Sequence, residues 1–440
     1  MRAVSKIEGS DMLKRFVLCI ACTAVLVASG VLRAQQPPTT APPGPVVSAP
    51  GAGARGGGRG APPIKSPEVA EDRRVTFRLR APNAKDVGVM LEGKGLPMQK
   101  DDQGVWSLTT DPLEPNYYTY ALVVDGTSVS DPANRQAQTS FGSFQSMFVV
   151  PGPDPWFPAA GIPRGVIGRH AFRSSVANDE RHFFVYTPPG YDPRRSRQYP
   201  VLYLLHGLGD DAERWMNGGA ANVVMDNLIA QGKAVPMVVV TTLGYGVNNG
   251  PAGAMAPENI TGYTKILLSE VIPAVERTYN VSRNRDDRAI AGLSMGGAET
   301  LYTALNNLDK FGWIASFSGA FVMWPRLAEP SPTAAAVGAA APPPAAPGPG
   351  GGRGTMRTID AAVFAKIFPG VDSKVNARLR MLWITCGTAD SLIGVNRQFK
   401  DWLRSKGVRF TEEEAPDVGH VWPYWRKNLA EFATKVFQSN

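Results

Sequence analysis

Histidine and cysteine are scarce in this chain of 440 residues. It has four histidines and three cysteines, and two of the cysteines, Cys19 and Cys22, lie within the first 34 residues. Once that segment is removed, Cys386 is the one thiol left, which excludes an intramolecular disulfide and argues against a cysteine-based metal site. The histidines are scattered and there is no His-Glu-x-x-His pattern, so we expect neither a catalytic metal nor another cofactor.

The chain also lacks the charge pattern of a nucleic-acid-binding protein. Its formal net charge is +8, but no block of alternating basic and aromatic residues stands out. The mild basicity therefore indicates a solvated surface, and we expect no nucleic-acid partner. Hydrophobic residues make up 43% of the chain, which is ample for a buried core without disulfides.

The N-terminus has the sequence of an export signal. Lys14 and Arg15 precede an apolar run over residues 16–27, and small residues follow near Ala34. A run of that length is too short for a permanent membrane span, and the next thirty residues could not pack around a buried helix. We therefore predict a signal peptide over residues 1–34, no stable membrane span, and a secreted or periplasmic protein.

Two composition shifts divide the remaining chain. Residues 35–66 are dominated by proline, glycine, alanine and arginine, which cannot bury enough apolar surface to order the chain, so they predict a disordered linker. Residues 67–150 instead alternate between apolar and polar side chains, as in Val75–Leu79 and Val87–Leu91, with turn residues at Asp125-Gly126. This second stretch is predicted to be all-β.

The all-β stretch resembles the early-set immunoglobulin-like β-sandwich related to family 48 carbohydrate-binding modules. The residues that carry the resemblance are Phe77, Ala81-Pro82, Gly104-Val105-Trp106, Tyr118, Tyr120, Val124-Asp125-Gly126 and Asp131-Pro132. The resemblance concerns the fold, and these aromatic residues suit core packing. It leaves open whether the domain contacts a glycan.

From residue 165 to the C-terminus, strand and helix patterns alternate. Continuous apolar runs such as Val201–Leu205 and Met381–Ile384 are typical of strands buried on both faces, with helices predicted between them, among them Ala221–Gln231 and Tyr263–Tyr279. This predicts an α/β domain over 165–440. An insert rich in alanine, proline and glycine, from about 329 to 353, interrupts the domain and is predicted to be disordered.

The segment from Ala291 to Gly297 carries the strongest catalytic signal. It follows a short apolar strand, opens a helix and reads Gly-Leu-Ser-Met-Gly at 292–296. That setting is typical of the nucleophile elbow of α/β-hydrolases, in which small residues flank the serine because the turn leaves no room for side chains. It predicts the α/β-hydrolase fold with Ser294 as nucleophile. An incidental serine in a glycine-rich turn is the lesser alternative.

The scarcity of histidine narrows the choice of base. His170 and His182 lie upstream in strand-like segments and are expected to be structural, whereas His206 opens a His-Gly-Leu-Gly stretch after a buried strand. His420 lies in a loop between the last predicted strand and a C-terminal helix, which is where this fold carries its base. We therefore assign His420 as the base and Ser294 as its partner.

The acid should follow the serine and precede the histidine in the chain. Asp390 lies just beyond the buried strand that begins at Met381, at the sheet edge where such folds carry their sites. Its expected role is to accept the Nδ1 proton of His420 and fix the tautomer. Asp417 is close enough in sequence to be a substitute, and the glutamates at 412–414 are expected to be solvated. The backbone N–H groups of Leu208 and Met295 are the expected oxyanion hole.

At these motifs the chain resembles the esterase D-like, family 1 carbohydrate esterases, which include feruloyl and acetyl xylan esterases. The resemblance runs through residues 186–191, 204–207, Trp215, 226–229, 292–297, 387–390, Gly419-His420 and Trp422. It implies ester hydrolysis on feruloylated or acetylated xylan, with Gly207, Trp215 and Trp422 as substrate-binding residues. Core packing is an equal alternative for the two tryptophans. The chain departs from the usual pattern at residues 241–246.

Two other functions remain open from the sequence. A siderophore-lactone esterase of the enterochelin type also joins an N-terminal β domain to this fold. A non-catalytic glycan-binding relic is the other alternative, although an intact Ser294, Asp390 and His420 set argues against it.

Overall fold

The computed structural model describes residues 63–141, 143–247, 250–254, 256–328 and 358–438. The predicted signal peptide (1–34), the predicted linker up to residue 62 and the predicted insert (329–353) lie outside these residues. The chain from Pro63 onward forms one compact unit. Ser66, at the end of the predicted linker, is buried and donates to Asp131 at 2.6 Å.

The first part of this unit is an all-β sandwich of two antiparallel sheets. One sheet has the order β1-β2-β6-β5, and the other has the order β4-β3-β7-β10-β9 with β8 paired to β7. The strands are β1 (Glu68–Val69), β2 (Val75–Arg80), β3 (Val87–Leu91), β4 (Lys94–Pro97), β5 (Gln99–Lys100), β6 (Val105–Thr109), β7 (Asn116–Val124), β8 (Thr127–Val129), β9 (Ala137–Ser140) and β10 (Ser143–Val150).

Alternation along the strands creates the core of the sandwich. In β2, Val75, Phe77 and Leu79 are buried while the residues between them are not, because successive side chains point to opposite faces of a strand. Phe77 packs on Tyr120 with ring centroids 4.8 Å apart. Trp106 is also buried, and its indole N–H donates to the carbonyl of Ala81 at 2.9 Å.

The second part is built on an eight-stranded sheet of order β11-β12-β14-β13-β15-β16-β17-β18. The two pairs that β12 forms are antiparallel, and all later pairs are parallel. Strands β13 to β16 are buried along their whole length, as is typical of parallel strands covered on both faces. The strands are β11 (Val166–Ser174), β12 (Asp179–Thr187), β13 (Val201–Leu205), β14 (Val238–Thr242), β15 (Arg288–Leu293), β16 (Trp313–Phe317), β17 (Met381–Gly387) and β18 (Thr411–Ala415).

Seven α-helices accompany this sheet in the described part of the chain. They are α1 (Ala221–Ala230), α2 (Pro257–Ile266), α3 (Ile272–Thr278), α4 (Met295–Leu305), α5 (Ala361–Ile367), α6 (Ile393–Ser405) and α7 (Trp422–Lys435). Short 3₁₀ turns lie at Arg285–Asp287, Phe321–Ala328 and Ser373–Ala377. None of the helices among the described residues is long and apolar enough to cross a membrane.

The single helix predicted over Tyr263–Tyr279 is interrupted in the structure. α2 and α3 are joined by one π-helical turn, Leu267–Val271, and Pro273 lies in the first turn of α3. Proline has no N–H and its ring clashes with the carbonyl four residues earlier, so the chain widens at this point instead of continuing as a regular helix.

Candidate active site

Ser294 lies in the tight turn between β15 and α4. Its φ of 53° and ψ of −117° are unusual for a residue with a side chain. The turn is crowded on both sides: a Cβ on Gly292 would lie 2.4 Å from the carbonyl oxygen of Gly296, and one on Gly296 would lie 2.5 Å from that of His206. The glycines are therefore required by close backbone approach, and the turn holds Ser294 at the carboxyl end of the sheet.

Three side chains from separate loops meet at this turn. Nε2 of His420 lies 3.0 Å from Oγ of Ser294, and Nδ1 of His420 lies 2.7 Å from Oδ2 of Asp390. Asp390 follows β17, and His420 lies between β18 and α7. Because β15, β17 and β18 run parallel, the residues that follow them come together at one edge of the sheet.

Asp390 is held as a carboxylate. Its side chain is buried, and burial alone would raise its pKa, but hydrogen bonds and the charge of His420, together with the N–H of Leu392 at 2.9 Å, keep the pKa of Asp390 below its ordinary value. A buried anion bonded to Nδ1 fixes the His420 tautomer in which Nε2 can accept the serine proton.

The competing acids lie elsewhere. Glu412 and Glu414 on β18 form ion pairs with Lys400, and Glu413 pairs with Lys427. These glutamates keep access to solvent and also bind basic side chains of α6 and α7. Asp417 is exposed, and its own N–H donates to the Thr388 hydroxyl at 2.8 Å. Asp390 is therefore the acid that the structure brings to His420.

Two backbone segments border the serine hydroxyl. Met295 is the first residue of α4, where helix N–H groups have no acceptor within the helix and the dipole favours negative charge. Gly207 approaches from the other side, since a Cβ there would lie 3.4 Å from Cβ of Ser294. Leu208 follows it in the segment Gly207–Asp211, here named the oxyanion loop.

His206 anchors the base of the oxyanion loop. It is completely buried, and burial lowers its pKa to about 4, so the ring is neutral at ordinary pH. Its Nδ1–H donates to the carbonyl of Gly207 at 2.8 Å, and its Nε2 accepts from the N–H of Gly244 at 2.9 Å. His206 thus ties the oxyanion loop to the segment after β14.

Tyr245 is a contributor that the sequence analysis did not single out. Its hydroxyl accepts from the N–H of Gly209 at 2.8 Å and donates to the carbonyl of Asp210 at 3.2 Å. It lies within residues 241–246, where the chain departs from the pattern of the family it resembles. That departure was the one sequence signal that pointed to this position.

The structure separates the three predicted substrate-binding residues. Trp215 needs correction: it is fully buried, donates to the carbonyl of Leu205 at 2.8 Å and packs against Phe317, so it belongs to the core. Trp422 is half-buried, edge-on to Trp215 at 5.1 Å. Gly207 lies beside Ser294, where a substrate carbonyl would enter.

The remaining histidines lie on β11 and β12, and the cysteine lies on β17, the strand that precedes Asp390. His170 bonds the Tyr279 hydroxyl at 2.6 Å and stacks on Phe183, and His182 is on β12. Cys386 is buried, and burial raises the pKa of its thiol to about 12. The part of the chain that the structure describes contains no group of three histidine, cysteine or acidic residues placed to hold a metal ion.

Comparisons with known proteins agree with this architecture. Residues 174–346 match a family described as "Putative esterase". An endo-1,4-beta-xylanase/feruloyl esterase of Xylanibacter ruminicola is 35% identical over 279 residues, which cover 60% of this chain and 37% of that protein. An acetyl esterase of Caldicellulosiruptor saccharolyticus is 24% identical over 245 residues, covering 55% of this chain and 85% of the other.

Two solved structures illustrate what the chain is similar to. The enterobactin esterase FES from Shigella flexneri matches with a TM-score of 0.53 and 19% identity, covering 83% of this chain and 93% of that one. The CE1 ferulic acid esterase of Anaeromyces mucronatus matches with a TM-score of 0.49 and 22% identity over 65% of this chain and 96% of the other.

The chain covers less than half the length of three curated relatives that it matches: 37%, 44% and 13%. The resemblance of residues 67–150 to family 48 carbohydrate-binding modules stays a prediction. The α/β-hydrolase fold predicted from the nucleophile elbow is confirmed, and the match to the esterase family covers residues 174–346.

Proposed function

We propose that this protein is a serine carboxylic-ester hydrolase that works through an acyl-enzyme. The observation that carries the proposal is the continuous hydrogen-bonded chain from Ser294 through His420 to Asp390. A serine hydroxyl is a weak nucleophile unless a base takes its proton, and here a base lies at 3.0 Å.

The reaction takes two steps. As Oγ of Ser294 bonds to the ester carbonyl carbon, its proton passes to Nε2 of His420, and the N–H groups of Leu208 and Met295 stabilise the oxyanion. The tetrahedral intermediate collapses, the bond to the alkoxy oxygen breaks, and His420 protonates the departing alcohol. Water then attacks the acyl-enzyme with His420 again as base, which releases the carboxylic acid and regenerates Ser294.

We assign the substrate to esters on plant cell-wall polysaccharide, with a feruloyl group first and an acetyl group on xylan second. The relative named as an endo-1,4-beta-xylanase/feruloyl esterase supports this choice. Exposed apolar side chains also flank the catalytic groups: Leu208 is 51% exposed and Val421, next to His420, is 43% exposed. Such surfaces suit an aromatic acyl group better than a charged one.

A panel of substrates tests the activity and its specificity together. We expect wild-type protein to release ferulate from methyl ferulate and from feruloylated arabinoxylan, with weaker release of acetate from acetylated xylan, measured by chromatography. Ser294→Ala should abolish each release. Turnover of a ferric siderophore trilactone with no turnover of the other esters would instead favour the enterochelin-type function.

The same variant tests the non-catalytic alternative. If wild-type protein and Ser294→Ala hydrolyse p-nitrophenyl acetate equally slowly, the catalytic proposal fails and the relic hypothesis is favoured. Glycan contact through the sandwich stays a prediction, and burial of Trp106 and Tyr120 argues against a sugar platform at those residues. Co-sedimentation of Ser294→Ala with insoluble xylan would test such contact without hydrolysis.

We further propose that the protein is exported. The support comes from the basic residues, apolar run and small residues of the first 34 positions. Mass spectrometry of the protein recovered from the periplasm or medium should find a mature N-terminus near residue 35, whereas an intact N-terminus in the cytosolic fraction would contradict export.

A further inference from the structure

The β9–β10 hairpin of the sandwich contacts the oxyanion loop and the segment that follows it. Every second residue from Ala137 to Phe141 makes a contact. The N–H of Phe141 donates to the carbonyl of Gly209 at 2.9 Å, and the Thr139 hydroxyl donates to Asp211 at 3.1 Å. The carbonyl of Ala137 accepts from the side chain of Asn217 at 2.7 Å. Residues two apart lie on the same side of a strand, so one edge of the hairpin faces the catalytic domain.

The ring of Phe141 adds a contact to the same loop through Tyr245. The two rings meet edge to face with centroids 5.2 Å apart and planes at 89°. Tyr245 in turn bonds the N–H of Gly209 and the carbonyl of Asp210. The backbone of Tyr245 is itself fixed, because the buried side chain of Arg181 donates to its carbonyl.

Gly209 is therefore held on both of its backbone groups, its N–H by Tyr245 and its carbonyl by Phe141. Its φ of +88° is a conformation that glycine adopts readily and other residues rarely. Because glycine has this freedom, contacts from outside the loop are needed to define its conformation there. Leu208, whose N–H we assign to the oxyanion hole, directly precedes it. A donor of this kind works only when it is fixed within hydrogen-bond distance of the developing oxyanion.

We propose that Phe141, which directly follows β9, is a positioning residue that fixes the oxyanion loop of the active site. The proposal rests on the ester hydrolysis proposed above. It assigns to the sandwich an indirect role in the chemical step, through the oxyanion loop and separate from any contact with glycan. Phe141 acts through Gly209 and Tyr245 and is not itself a catalytic residue.

The test compares two matched variants with Phe141→Ala, which removes the ring contact with Tyr245 and keeps the backbone bond to Gly209. The substrate is p-nitrophenyl acetate, whose acetyl group is too small to need a binding surface of its own. Phe144→Ala removes the same side chain three residues away, at a position 58% exposed. Phe141→Tyr keeps the ring. We expect kcat to fall about tenfold in Phe141→Ala with KM within about twofold, while Phe144→Ala and Phe141→Tyr stay near wild type. Equal losses in Phe141→Ala and Phe144→Ala would overturn the proposal.

A double-mutant cycle with Tyr245→Phe tests the route of the effect. If both residues act through Gly209, the double variant should lose little more kcat than the more damaged single variant. Fully additive losses would overturn the shared route. Phe141→Ala could instead change KM for feruloyl substrates and leave kcat on p-nitrophenyl acetate unchanged. That result would overturn the positioning role, because Phe141 would then only contact the bound substrate.

A second readout is independent of turnover. Amide hydrogen exchange of the peptide that contains residues 206–211 should be faster in Phe141→Ala than in wild type and unchanged in Phe144→Ala. If wild-type protein hydrolyses no ester, the proposed function fails but this exchange difference still supports the contact. If exchange is the same in all three proteins, the positioning role is refuted even when the enzyme is active.

Discussion

At the scale of single residues, Asp390 determines what His420 can do. In Asp390→Asn the amide presents a donor to Nδ1, so Nδ1 becomes the acceptor and Nε2 carries the proton that points at Ser294. The ring can then no longer take the serine proton, and we expect kcat for p-nitrophenyl acetate to fall about 10⁴-fold with an unchanged fold.

Asp417→Asn is the matched control for that change. Asp417 is exposed and three residues from His420 in sequence, but the hydrogen bond to Nδ1 comes from Asp390. The control should therefore keep near wild-type kcat. A comparable loss in Asp417→Asn, or full activity in Asp390→Asn, would show that the acid has been misassigned.

Glu299 is a buried carboxyl group one turn into α4. It is completely buried, and neither carboxyl oxygen has a hydrogen-bond partner within the described residues. Burial raises the pKa of Glu299 well above its ordinary 4.5. Between pH 4.5 and the raised pKa, Glu299 is therefore neutral in the folded protein but ionised in the unfolded chain. Folding takes up a proton in this range, so stability falls as pH rises above 4.5.

Glu299→Gln removes this dependence with little change in shape. Below pH 4.5 both proteins carry a neutral group, so their free energies of unfolding should be similar. At pH 8 the variant should be more stable by about 1 kcal/mol or more. Urea unfolding at the two pH values measures the difference, and a variant that is less stable at pH 8 would contradict the assignment of a neutral Glu299.

The meeting of Ser294, His420 and Asp390 was predictable because a local motif, the chain order and the composition all pointed to it. The elbow glycines, the chain order and the scarcity of histidine together select Ser294 and His420 for the positions where the structure places them. Trp215 and Tyr245 were not predictable in the same way. Whether an aromatic side chain faces the core or the site depends on which elements pack over it, and that information is not in the neighbouring sequence.

At the scale of elements, the elbow depends on how closely α4 approaches β13. A Cβ on Gly296 would lie 2.5 Å from the carbonyl oxygen of His206 and 2.8 Å from the backbone carbon of Leu205. Neither atom can move without shifting the strand. We expect Gly296→Ala to lower the free energy of unfolding by about 2 kcal/mol or more, and also to lower kcat because the displaced backbone carries the oxyanion loop.

Gly370→Ala is the control for that substitution, since nothing lies within 4 Å of a Cβ at Gly370. It should change neither stability nor kcat. Both quantities are measured by urea unfolding and by initial rates on p-nitrophenyl acetate. Wild-type stability in Gly296→Ala would mean that the turn is looser than these distances imply.

Strands were easier to predict than helix continuity. A strand buried on both faces, such as β13, is recognisable as an unbroken apolar run. The helical periodicity of residues 263–279 carried no comparable sign of the π-helical turn, although Pro273 marks its position. One proline can widen a turn or end a helix, and tertiary packing decides between these outcomes.

At the scale of the whole molecule, the join between sandwich and catalytic domain was not foreseen. In the sequence, Thr139 and Arg426 resemble ordinary surface residues, and the sandwich resembles an accessory domain. In the structure, Arg426 on α7 is buried, donates to the carbonyl of Gly218 at 2.7 Å and to Asn116 on β7 at 2.9 Å, and lies over the ring of Tyr117. The sequence pattern does not distinguish polar residues buried between two domains from polar residues that face solvent.

Arg426 therefore connects the sandwich to the helix that begins two residues after His420. Arg426→Met keeps much of the apolar volume but leaves the Gly218 carbonyl and the Asn116 side chain without this donor, which costs about 2 kcal/mol. We expect wild-type protein to unfold in one calorimetric transition and Arg426→Met to show an earlier, separate transition of the sandwich. Arg426→Lys, which retains a charge and one donor direction, should fall between them. A single unshifted transition in Arg426→Met would show that the two parts are coupled mainly through other contacts, of which the β9–β10 hairpin is the first to test.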